Sequence, residues 1–368
     1  MRHIIQAAVL RLLVFVILCF VCGGHTNFAL AEPTDITVEL LNKAAVLSEQ
    51  GDNKAALRII DSILVANPKD GGAHFYRGVC LVAMQEYEQA VKAYDETIKF
   101  LPELYDARYH KGICLQNLGR YTEAVKAFDA ALKIKPDDYS SQFSKGLCLG
   151  ALVQLEDAIA AYDIAAKYDK AKHEPYFNKG LCLTDLNRHA EAVAAYDAAL
   201  SIEPNLPLAQ YYKGIALSTL NHNAEAIGAL DAAIALKPDY YEAIYSKGLC
   251  LSNLGKYDEA ISAYDASLAI NKNNSSAQHN RGVCFSALNR DEDAVKAFEA
   301  ALALQPDFAS AMYGIAYAYS RLEQKSKMLD WLARAIAAEP GYKDLSKNSK
   351  GFARYHSDSD FRKLVGLE

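Results

Sequence analysis

The stretch KGICLQNLGRYTEAVKAFDAALKIKP occupies residues 111–136. Its opening returns as KGLCL at 145–149, 179–183 and 247–251, with RGVCL at 77–81 and RGVCF at 281–285. The paired glycines are Gly78, Gly112, Gly146, Gly180, Gly214, Gly248 and Gly282, each 34 residues beyond the last. Self-similarity at a fixed spacing of this length marks a solenoid, whose units bury their apolar faces only against neighbours. Counted from Thr37, nine copies end at Tyr342.

Each copy reads as two helices. The second stops at Pro68, Pro102, Pro136, Pro204, Pro238, Pro306 and Pro340, since proline lacks the next backbone donor. Lys170 and Lys272 take that place in copies four and seven, which predicts softer ends there. The intervening turn falls at Gly51, Gly119, Asn187, Asn221, Gly255 and Asn289, residues that tolerate the left-handed conformation. A mid-helix glycine costs about 1 kcal/mol relative to alanine, so its recurrence implies close approach. The expected neighbours are Ala90, Ala124, Ala158, Ala192, Ala226, Ala260 and Ala294, with an aromatic residue filling the space one turn on and Leu230 the exception.

Glycine at position 8, alanine at 20, an aromatic at 24, alanine at 27 and proline at 32 together resemble the tetratricopeptide repeat family. The resemblance implies an all-α, right-handed superhelical solenoid of nine helix-turn-helix units with a C-terminal capping helix. Together with the layout of the N-terminal residues, it divides the chain into a signal peptide at 1–31, a short linker at 32–36, repeats at 37–342 and a cap at 343–368. Phe352, Phe361 and Leu364 are expected to supply the buried face of the cap.

The recurrent cysteines, Cys80, Cys114, Cys148, Cys182, Cys250 and Cys284, occupy position 10. Equivalent residues of neighbouring copies lie about 8–10 Å apart, beyond the ~7 Å a disulfide spans. Zinc needs four ligands converging on one point, which a ladder does not provide. The thiols therefore read as small buried hydrophobes, and no metal is expected. The sequence shows no H-E-x-x-H, phosphate-binding glycine loop or G-x-S-x-G, and the repeats occupy nearly the whole chain. No enzyme and no cofactor are expected.

On each first helix, positions 2, 5, 9 and 12 share a face, which by the resemblance lines the concave side. Position 5 reads Phe75, Tyr109, Phe143, Phe177, Tyr211, Tyr245, His279 and Tyr313, with aliphatics at position 9. This stripe reads either as core between first helices or as a groove for an extended peptide or amphipathic helix. Some family members grip acidic C-termini with Lys and Asn in the groove, but here the stripe leaves no such clamp. Lys or Arg at position 7 and Asp at position 25 predict an ion-pair ladder between neighbouring copies.

The formal charge is −6, which argues against nucleic acid or an anionic membrane as partner. Residues 1–31 carry Arg2 and Arg11, an apolar run at 12–22 and an Ala29-Leu30-Ala31 ending. This is the layout of an export signal, and the run is short of the ~20 residues that span a bilayer. Removal before Glu32 leaves 37 basic against 45 acidic residues, a net of −8. An uncleaved membrane anchor is the alternative. The expectation is thus an exported, periplasmic or secreted scaffold for a protein or peptide. Its rivals are a structural component assembling through its ends and convex face, and a regulatory subunit of a separate enzyme.

Overall fold

The computed structural model describes residues 35–367; the expected signal segment 1–31 lies outside them. Helices make up the described fold, and no strand occurs among the described residues. No helix among them is long and apolar enough to cross a membrane. Two compact units divide the chain, one running to Leu118 and the other starting at Gly119.

The first unit contains α1 (Asp35–Glu49), α2 (Asn53–Ala66), α3 (Gly71–Ala83), α4 (Tyr87–Phe100) and α5 (Tyr105–Asn117). The second begins with α6 (Tyr121–Ile134), α7 (Tyr139–Ala151), α8 (Leu155–Tyr168), α9 (Glu174–Asp185) and α10 (His189–Ile202). It continues through α11 (Pro207–Thr219), α12 (Asn223–Leu236), α13 (Tyr241–Asn253), α14 (Tyr257–Ile270), α15 (Ser275–Ala287) and α16 (Asp291–Leu304). α17 (Ala309–Arg321) and α18 (Lys325–Ala338) make the last pair. Odd-numbered helices are the first of each copy and even-numbered the second.

What meets the recurrent glycine is the aromatic ring rather than the alanine. A Cβ on Gly78 would lie 2.5 Å from Tyr94, one on Gly146 2.6 Å from Tyr162, and one on Gly180 2.5 Å from Tyr196. Leu230 takes the ring's place beneath Gly214. The ring lies flat under the first helix, so glycine is what allows a large residue to fill the gap between the helices. Tyr94, Phe128, Tyr196, Leu230 and Tyr264 are wholly buried.

Proline does not set the length of the second helix. α8 and α14, which precede Lys170 and Lys272, have 14 residues like α10 and α12. Each ends where the next residue turns extended while its N–H still bonds back, Asp169 to Ala165 and Asn271 to Ser267. The helix ends at the same place with or without the proline. The turns within copies also reach beyond glycine and asparagine, with Gln85, Val153 and Glu323 held at positive φ. Asp70, Asp138 and Asn274 cap the first helices α3, α7 and α15 by accepting from the third amide.

The tail closes the second unit in three short pieces: α19 (Gly341–Asn348), a 3-10 turn (Lys350–Tyr355) and α20 (Ser359–Val365). Phe352 and Phe361 stack at 5.8 Å and are wholly buried against Ala316, Met328 and Leu332. Leu364 is only half-buried, and Val365 fills the core beside the two rings. Lys325 pins this tail through Asp358 and Asp360 at 2.5 and 2.9 Å.

Candidate partner-binding face

In the second unit the first helices α7, α9, α11, α13, α15 and α17 touch one another in succession and form a common face. The position 5 side chains do not share one fate on it. Phe143 and Phe177 are core residues, 8% and 7% exposed, and Phe75 of the first unit is equally buried. Tyr211, Tyr245, His279 and Tyr313 remain partly exposed, as does Tyr109 of the first unit. The stripe thus divides between core and surface.

The division has a physical origin. Position 5 leans on the ring at position 24 of its own copy: Phe143 on Tyr162 at 5.8 Å, Phe177 on Tyr196 at 6.0 Å, Tyr245 on Tyr264 at 5.8 Å and His279 on Phe298 at 5.4 Å. A phenylalanine has no further demand and sinks into that contact. A tyrosine must also satisfy its hydroxyl, which holds the ring edge near the surface. Tyr245 accepts from the Asn280 amide at 2.9 Å, and Tyr211 bonds to the Ser246 hydroxyl. Asn280 and Ser246 both stand at position 6 of the following copy. Tyr313 stacks on Tyr342 at 4.6 Å and bonds to Ser346 and Ser349 of the tail. Burial pushes the Tyr211 phenol up to about 12 and raises those of Tyr245 and Tyr313. It lowers the His279 imidazole, which packs 4.9 Å from Phe308.

Copy six departs from this frame and concentrates the aromatics. With Leu230 below, Tyr211 contacts Tyr212 at 5.3 Å and Tyr240 at 5.0 Å. Tyr212 in turn stacks on Tyr196 and touches Phe177, each at 6.2 Å. The Lys237 ammonium stands 4.7 Å over the Tyr240 ring. Sequence reasoning about position 5 alone passes over Tyr212 and Tyr240; their signal was the adjacent tyrosine pairs at 211–212 and 240–241.

The expected ladder is present. In the second unit Lys145–Asp129, Lys179–Asp163, Lys213–Asp197 and Lys247–Asp231 all close at 2.6 Å, and Arg281–Asp265 at 2.5 Å. In the first unit Lys111–Asp95 measures 2.5 Å and Arg77–Asp61 3.5 Å. The aspartates are about half exposed, so each pair contributes roughly 0–1 kcal/mol. Its larger consequence is geometric, because the position 7 cations are tied to second helices. The ladder ends where position 7 becomes the buried Ile315. There Arg321 joins neighbouring copies instead, through Asp291 at 3.2 Å and the Ser286 carbonyl at 2.8 Å.

All six recurrent cysteines are free and buried. Burial pushes Cys114, Cys148 and Cys182 up to about 12 and raises Cys80, Cys250 and Cys284. No group of His, Cys, Asp and Glu able to hold a metal occurs among the described residues.

A family model described as tetratricopeptide repeat matches residues 41–103, 81–139, 145–207, 211–275 and 285–343. No curated protein matches the chain. Among solved structures, YrrB, described as a TPR protein with an unusual peptide-binding site, is 26% identical with a TM-score of 0.47, over 51% of this chain and 97% of its own. MamA is 27% identical with a TM-score of 0.43, over 45% and 96%. The Cut9–Hcn1 hetero-tetramer of the APC/C is 16% identical with a TM-score of 0.44, over 86% and 63%.

Proposed function

The chain belongs to the tetratricopeptide repeat family, and we propose that it is a non-enzymatic scaffold holding a peptide or protein partner on its first-helix face. Proteins of this family bind peptides and proteins. One observation carries the reading: Tyr211, Tyr245, His279 and Tyr313, on successive first helices, stay partly exposed while each is held by a ring or hydrogen bond. Pre-ordered rings offer large contact area at little entropic cost. Phe143 and Phe177 support this surface from within the core of the second unit; in the first unit Phe75 is likewise buried and Tyr109 offers a partly exposed ring.

The test is partner capture by the chain from Glu32 onward, repeated with Tyr211→Ala and Tyr245→Ala combined. Capture should fail while thermal unfolding shifts by only a few degrees. Undiminished capture would sink the reading.

Two further parts belong to the proposal. The layout of residues 1–31 supports export to a periplasmic or extracellular compartment, so the mature protein should begin at Glu32; intact Met1 on membrane-bound protein would favour an anchor. A structural role has its own support at the start of the first unit. There α1 leaves Ile36, Val38 and Val46 at 69%, 39% and 50% exposure, a surface suited to end-on assembly.

A further inference from the structure

The charges on the first-helix face of the second unit are uneven. Positions 2, 5, 6, 9, 12 and 13 share that face, and on the six first helices their charged residues are Glu174, Asp185, Glu242 and Arg321. Arg321 is already engaged by Asp291 and the Ser286 carbonyl. The position 7 lysines and arginine are tied to aspartates of the second helices. Among the described residues, what remains at these positions of the first helices is carboxylates; the cation at the edge of the cluster is Lys237, over the Tyr240 ring. Asp185 ends α9 and Glu242 lies in the first turn of α13, on either side of α11 with Tyr211 and Tyr212. Among the described residues neither carboxylate has an ion-pair partner.

We propose that the Tyr211–Tyr212 cluster, flanked by Asp185 and Glu242, receives a basic side chain of an extended partner segment, arginine or lysine, with its charge over a ring and between the carboxylates. The proposal rests on the first-helix face being the binding surface and specifies what that surface selects. Ring faces carry negative potential and attract guanidinium or ammonium groups within about 6 Å, and a nearby carboxylate adds to the attraction. The same cluster already holds one such pair at its edge, Lys237 over Tyr240. Charge supports the placement as well. Burial, and after it the charges of Asp185 and Glu242, raise the Tyr212 phenol, which sets both carboxylates within electrostatic reach of that ring. A cation over the Tyr212 ring would be attracted by both carboxylates. An acidic segment would meet repulsion, which reverses the preference of the carboxylate clamp.

The experiment measures anisotropy of three labelled peptides, alternating arginine–glycine, serine–glycine and aspartate–glycine, on the chain from Glu32 onward. The arginine peptide should bind most tightly, and the Asp185→Asn, Glu242→Gln double variant should weaken it about tenfold. A control pair on second helices, Asp157→Asn and Asp258→Asn, should leave its affinity within about twofold, because both lie away from the ring cluster. Equal loss in the control means that diffuse negative charge holds the peptide, and overturns the proposal. So does an aspartate peptide that binds as well as the arginine one. If the paired alanine variant of Tyr211 and Tyr245 abolishes partner capture but the carboxylate variant does not, the scaffold reading stands and this inference falls.

Discussion

Val153 should be the least comfortable residue in the array, and replacing it with glycine should stabilise the protein. It forms the turn between α7 and α8 at φ +59°, where the equivalent residues of copies one, three and seven are glycines at φ +87°, +73° and +74°. The left-handed region costs an ordinary L-residue roughly 1–2 kcal/mol, and a β-branched side chain is especially ill suited to it. Glycine removes that cost but gives the unfolded chain extra freedom worth about 0.5–1 kcal/mol. Val153 is 76% exposed, so its removal forfeits little buried surface. Its N–H bond to the Gly150 carbonyl, 3.0 Å, survives the change. The net gain should be about 0.5–1 kcal/mol. A repeat array need not unfold in one step, so native-state hydrogen exchange of α7 and α8 amides is a better readout than a single melting temperature. The reverse change, Gly255→Val, should cost a comparable amount in α13 and α14. Slower exchange is expected for the first variant and faster exchange for the second. If Val153→Gly speeds exchange, or Gly255→Val leaves it unchanged, then turn strain does not set local stability here.

The six recurrent thiols should label slowly in the folded protein even at pH 9, because burial raises all six, with Cys114, Cys148 and Cys182 pushed up to about 12; denaturation without reductant should then release six labels. Phe177→Ala should cost about 3–5 kcal/mol as a core truncation, whereas Tyr211→Phe should cost about 1 kcal/mol for its bond to Ser246, both read from urea unfolding. Equal losses at the two positions would erase the distinction between core and surface within the stripe.

The fold was legible because a 34-residue repeat states the same packing problem many times over. A glycine at position 8 is uninformative alone; at seven regularly spaced places beside a mostly aromatic position 24, it reports close approach. Which residue it approached was less legible. Ala90 and its equivalents looked like the small counterparts, yet the ring of Tyr94 or Tyr162 lies beneath the glycine, because a flat ring needs the room that a missing Cβ provides. The turns at Gln85, Val153 and Glu323 carried no signal of their own chemistry. Their conformation is imposed by the helices on either side, and a single local penalty of 1–2 kcal/mol does not overcome that packing.

The binding face was harder to read, because position 5 looks uniform while its fate depends on another copy. Tyrosines 211 and 245 find Ser246 and Asn280 at position 6 of the next first helix, and each hydroxyl holds its ring at the surface. Phe177 meets Tyr212 at the corresponding place and is drawn inward by ring contact. Phenylalanine marks core whether a ring follows 35 residues on, as Tyr212 follows Phe177, or a short polar residue, as Asn178 follows Phe143; tyrosine followed by a short polar residue marks surface. Copy six lies where the two regimes meet: Tyr211 uses Ser246, while Tyr212 contacts Phe177 and Tyr196 of the preceding copy. In the copy where Leu230 replaces the core ring, Tyr211 stands in contact with both Tyr212 and Tyr240, and it is this cluster that the proposed basic side chain would meet.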